Sequence, residues 1–179
     1  MKEVGQVRSR WLALTGFVLV ATAGCTAHPG AAAVVNGETI TQGYLQDTVD
    51  DFADLGEVTP SQLLNVLVAM RAGEDVVEDR GIAVSGADAL AMLEDGGIDT
   101  NGFSPGGVEV ARYIAIVTQT QTRADAEEIS EEMDAARRAA DIVINPRYGV
   151  LDTESGTIVD RTPAWIVTDG SAESEPTGR

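Results

Sequence analysis

Histidine, cysteine and lysine each occur once in 179 residues, as His28, Cys25 and Lys2. A single cysteine excludes a disulfide within the chain, and one cysteine with one histidine excludes a Cys/His zinc cage. The same scarcity removes the usual nucleophile–base pairs, because almost nothing is left to activate a hydroxyl. Aromatic residues make up only 4% of the chain, so the core must be mainly aliphatic. Basic residues number 12 against 29 acidic, a formal net charge of −17. Nucleic acid is thereby excluded as a partner, since phosphate neutralisation needs a Lys/Arg surface. No Gly-x-Gly-x-x-Gly or Walker pattern offers a phosphate cradle. Apolar residues make up 44%, enough for a core and too many for wholesale disorder.

The first residues read as an address. Lys2, Arg8 and Arg10 form a positive region, followed by an apolar stretch over residues 11–23. That stretch is short for a mature membrane span and suits the apolar part of a signal peptide. It ends in Thr22-Ala23-Gly24-Cys25, which resembles the lipobox of bacterial lipoproteins, although Thr22 stands where Leu is usual. The resemblance implies a diacylglycerol on the Cys25 thiol and cleavage after Gly24. Cleavage there leaves nine basic and 28 acidic residues, a charge of −19, so attachment to the bilayer must come from the lipid. The expected organisation is a signal peptide over residues 1–24, a tether over 25–32 containing His28, a domain over 33–168 and a disordered acidic tail over 169–179.

Within the domain the period changes from strand to helix and back. Ala33-Val34-Val35, Asn36-Gly37 and Glu38-Thr39-Ile40 predict a hairpin on a type I′ turn. Thr41 is placed to cap a helix carrying Leu45, Val49 and Phe52 on one face, with Asp47, Asp50, Asp51 and Asp54 read as a solvated acidic face. Thr59-Pro60-Ser61-Gln62 predicts a capping box and a helix running to about Arg80, stopped by Gly81. Its stripe is Leu63, Leu67, Met70, Glu74 and Val77, with Leu64 and Val66 beside it. Ser85 and Ser104-Pro105 open two further helices, the second carrying Val110, Tyr113, Ile114, Ile116 and Val117, with a polar break over residues 118–123. Ala126, Ile129, Met133, Ala136 and Ala140 make a narrow stripe that predicts packing against one neighbour, and Asp134 can pair with Arg138. Strand-like segments follow at 141–145, 157–159 and 165–167.

The loop with Asp99, Asn101 and Gly102 has a partial calcium-loop spacing. Its first and twelfth positions are Gly97 and Val108, so both key carboxylates are missing and a turn is expected. No carboxylate spacing singles out a glycosidase-like pair. Neither a metal nor a cofactor is expected, and the chain is not read as an enzyme.

Residues 33–41 (Ala33-Val34-Val35-Asn36-Gly37-Glu38-Thr39-Ile40-Thr41) resemble the opening of the SurA/PrsA-type chaperone domain, where a Val-Asn-Gly strand precedes the first helix. Gly81-Ile82-Ala83-Val84-Ser85 is similar to that family's later junction, and Asp141-Ile142-Val143-Ile144-Asn145-Pro146-Arg147-Tyr148-Gly149 to the closing strand of lipoproteins carrying the domain. The resemblance covers roughly residues 33–151. It implies a mostly α fold: a helical SurA N-terminal-like lobe, with a small β element joining the N-terminal strand to the late strand. Larger members insert a parvulin isomerase. Residues 86–123 are too few for that domain, and its histidines are missing, so isomerase activity does not carry over.

The resemblance implies binding of unfolded or exported polypeptides at the extracytoplasmic face of the cell membrane, with Cys25 holding the lipid bilayer. On this reading the apolar contacts come from Leu63, Leu64, Val66, Leu67 and Met70, and from Tyr113 and Ile116. The alternative is a structural or binding subunit for one dedicated envelope partner. Exposed apolar surface separates the two: a general holdase needs a contiguous patch.

Overall fold

A computed structural model describes residues 29–159. Cys25, His28, the 165–167 segment and the acidic tail lie outside the described residues. Asn36 (φ 50°) and Gly37 (φ 86°) both take the positive φ that a type I′ turn requires. They join β1 (Ala31–Val35) to β2 (Glu38–Thr41). β1 thus starts two residues inside the expected tether, and Ala32 is fully buried. Six helices follow: α1 (Gln42–Asp51), α2 (Pro60–Ala72), α3 (Glu74–Asp79), α4 (Gly86–Asp95), α5 (Pro105–Gln121) and α6 (Ala126–Ala139). β3 (Ile142–Ile144) then returns to pair with β1, and β4 (Val150–Asp152) and β5 (Thr157–Val159) form a separate hairpin. The fold is mostly α with a small β element.

The larger sheet runs β2-β1-β3, antiparallel throughout, with Val35 opposite both Glu38 and Ile142. The two chain ends of the domain therefore meet in one sheet, and an asparagine closes each end of the β1–β3 ladder. The Asn36 amide donates to the Asp141 carbonyl at 2.8 Å, and the Asn36 side chain accepts from the Asp141 amide at 3.0 Å. Asn145 donates from its main chain to Ala32 O and from its side chain to Ala31 O, each at 2.9 Å.

The caps form where the sequence places them. Thr41 accepts from the Tyr44 amide, Thr59 and Gln62 close a capping box, and Ser85 and Ser104 accept from the Asp88 and Gly107 amides. α2 lies at the centre, touching α1, α5, α6, β1 and β5. Leu64 and Leu67 are fully buried on it, each such side chain contributing about 1.5–3 kcal/mol. β5 docks on α2 through Asn65, whose side-chain amide takes the place of a neighbouring strand. It donates to Ile158 O at 2.9 Å and accepts from Ile158 N at 2.7 Å. A second cluster, Met70, Val77, Ile82, Ile116 and Ile129, fills the space between α2, α3, α5 and α6.

Five local expectations are corrected. The helix from Pro60 bends at Gly73 instead of running unbroken to Arg80, and the Met133 side chain of α6 lies where a Cβ at Gly73 would stand. α5 continues through most of the expected polar break, to Gln121. α6 packs against α2, α3 and α5, with Ile129 inside and Met133 against the second core cluster that those helices share. On α6 Asp134 pairs with Arg137, at 3.3 Å, instead of Arg138. Asp51 also leaves the solvated face assigned to it: its Oδ2 accepts from Ser104 N at 3.0 Å and Ser104 Oγ at 2.5 Å, tying the end of α1 to the start of α5.

Candidate functional site

The bend at Gly73 and the loop after α3 leave a groove between α3, α4 and α5. α2 supplies Met70 to its floor and Arg71 to one end, α3 supplies Val77 with Glu74 and Glu78, and the following loop supplies Ile82, Ala83 and Val84. Two adjoining cavities of about 350 and 560 Å³ share Met70, Glu74 and Arg112. Met70, Val77 and Ile82 are buried and Val84 is half-buried, so the floor is apolar and fixed by the second core cluster. Such an arrangement of apolar floor and polar edge can hold a side chain or a short extended segment.

One end of the groove is built on a polar network. The Tyr44 hydroxyl donates to Glu109 Oε2 at 2.5 Å. Arg71 grips the same carboxylate with Nε at 3.0 Å and Nη2 at 3.2 Å, and its guanidinium lies 5.4 Å from the Tyr44 ring centre. Burial and then the hydrogen bond to Glu109 push the Tyr44 hydroxyl up to about 12. This phenol stays protonated at neutral pH and serves as a donor that fixes Glu109. Where the two cavities meet, Arg112 donates from Nε to Val84 O at 3.1 Å. Among the described residues it has no carboxylate partner within ion-pair distance. The Ser85 hydroxyl in the groove donates to Asp88 at 2.6 Å and accepts from its amide at 3.1 Å, so it is occupied as a helix cap.

Most of the apolar residues expected to contact a polypeptide are placed elsewhere. Leu63, Leu64, Leu67, Met70 and Ile116 are buried, and Val66 and Tyr113 are half-buried. The α2 face carrying Leu63, Leu64, Leu67 and Met70 is taken up by the sheet and the neighbouring helices, because a domain of this size needs its most apolar helix at the centre. Only Met70 of the seven lines the groove. Cys25 lies outside the described residues. Arg112, Val84, Glu78 and Asp88 carried no sequence signal of a site. Glu74 did: it is a carboxylate inside an otherwise apolar stripe, where the core stops and the groove begins.

The loop with Asp99 and Asn101 closes as a turn, the Asp99 carboxylate accepting from the Asn101 amide at 3.0 Å. Among the described residues no cluster of acidic, His or Cys side chains converges on a metal-sized space, and no helix is long and apolar enough to cross a membrane. Comparison with protein-family models, with curated proteins and with solved structures finds no match.

Proposed function

We propose that this chain is an extracytoplasmic lipoprotein, anchored through Cys25, whose domain binds unfolded or exported polypeptide segments without isomerase catalysis. The observation that carries the reading is the groove over Met70, Val77, Ile82 and Val84, apolar at its floor and edged by carboxylates. The β1–β3 pairing supports it too, since the resemblance to SurA/PrsA-type domains implies that the first and late strands meet. The full-length chain is expected to suppress aggregation of an unfolded exported protein at stoichiometric amounts, read by light scattering. No suppression at excess would remove the holdase reading.

A second reading, a binding subunit for one dedicated envelope partner, is favoured by the scarcity of exposed apolar surface. Among the described residues only Leu55, Val143 and Val159 are large apolar side chains with substantial exposure. Under this reading a pull-down from envelope extracts returns one stoichiometric protein, and general client binding is weak.

A further inference from the structure

The groove has a one-sided rim. Glu38, Glu74, Glu78 and Asp88 are exposed around it, and none is ion-paired among the described residues. Glu109 adds no free charge because Arg71 holds it. Four carboxylates therefore stand against the single unpaired guanidinium of Arg112. They are spread over β2, α3 and α4 and do not converge as the ligands of a metal ion must.

We propose that the groove selects polypeptide segments in which apolar side chains are flanked by Lys or Arg, the apolar groups seated over Met70, Val77, Ile82 and Val84 and the cations against Glu74, Glu78 and Asp88. The inference rests on the polypeptide-binding reading above and names the class of segment bound. Apolar burial is non-directional and does not discriminate between segments of similar hydrophobicity. The pattern of charge does, by attracting one sign and leaving the other facing carboxylates. The chain as a whole acts in the same direction, since a net charge of −17 draws basic segments in and repels acidic ones before contact. Each solvent-exposed pair contributes roughly a factor of two in affinity, so three together give about tenfold.

Three labelled peptides of equal length and identical apolar content, with Arg, Gln or Glu at the flanking positions, test this by fluorescence anisotropy against the full-length chain. The Arg peptide is expected to bind about tenfold more tightly than the Gln peptide at low salt, and more tightly still than the Glu peptide, with the gaps closing as salt rises. The E74Q/E78Q/D88N variant is expected to bring the three affinities together. Its substitutions are all at exposed positions, and E78R alone offers a second readout, moving preference toward the Glu peptide. Equal binding of all three peptides by the unmodified chain would overturn the charge selection and leave polypeptide binding standing. Binding of none would overturn polypeptide binding itself, and the inference with it. A ranking that persists in the triple variant would also overturn the proposal, because the selecting charges would then lie outside the groove.

Discussion

Gly106 sits in the first turn of α5, where the place of a Cβ is taken by the Thr48 hydroxyl of α1, with Tyr44 Cε1 at 3.0 Å and Thr48 Cβ at 3.2 Å. Thr48 cannot turn away easily: it is fully buried and its hydroxyl donates to Tyr44 O at 2.7 Å. Gly106→Ala therefore pushes α1 from α5. Overpacking of this kind costs about 1–3 kcal/mol, against a helix-propensity gain of at most ~1 kcal/mol. The expected result is a lower urea midpoint with an unchanged slope. Gly73→Ala meets the far end of the flexible Met133 side chain instead, which can swing aside, so its loss is expected to be smaller than that of Gly106→Ala. At Tyr44 the neutral phenol is favoured in the fold, with its titration raised from 10.0 to about 12. The sign follows: stability from this group is full below pH 10 and falls as pH rises toward 12, because the unfolded chain ionises first. Tyr44→Phe is expected to lose about 1.5 kcal/mol at neutral pH and to lack that alkaline decline, read by chemical denaturation at pH 8 and 11.

At the scale of elements, α3 is only six residues long and is held against α6 by charge as well as by Val77. Arg80, at its end, reaches Asp125 at 3.6 Å, Glu128 at 2.9 Å and Glu132 at 2.5 Å. The hydrogen bond from Arg80 holds Glu132 below its ordinary 4.5, and the hydrogen bond from Arg123 holds Asp125 below 3.8. Depressed carboxylates stabilise the fold above those values, and the contribution is lost as pH falls through them. Acid also relieves the repulsion of so negative a chain, which works in the opposite direction. The difference between the parent and Arg80→Gln isolates the clamp: their thermal midpoints are expected to converge as pH falls below the ordinary carboxylate range and the depressed groups protonate. A constant gap from pH 7 to pH 3 would show that Arg80 acts through packing.

The same scale shows why the sequence was legible in part. Thr41, Thr59, Ser85 and Ser104 announce helix starts because a cap bonds an amide two or three residues away. Asn36-Gly37 announces its turn for the same local reason. The other role of Asn36, bonding Asp141 across 105 residues, has no local trace, and neither has Asn65 standing in for a strand beside Ile158. The bend at Gly73 is hidden because an isolated glycine is tolerated inside a helical pattern and only the arrival of Met133 gives it meaning. The groove was visible only as Glu74 interrupting an apolar stripe, since its opposite wall, Val84 and Arg112, depends on how α4 and α5 dock.

For the whole molecule, charge and anchorage oppose each other. β1 begins at Ala31, six residues after Cys25. A chain of that length reaches at most about 20 Å, so a lipid on Cys25 holds the domain close to the headgroups. The domain contributes no electrostatic attraction there, because a net charge of −17 in the full chain, or −19 after cleavage at Gly24, is repelled by anionic lipid. Nor does any described helix offer a membrane span. On the proposed lipoprotein reading, retention depends on the Cys25 thiol, and Cys25→Ser is expected to move the protein from the membrane to the soluble fraction. Lowering the ionic strength is expected not to restore binding, since weaker screening strengthens repulsion. A serine variant that stays with the membrane at all salt concentrations would instead identify the apolar stretch over residues 11–23 as an uncleaved anchor.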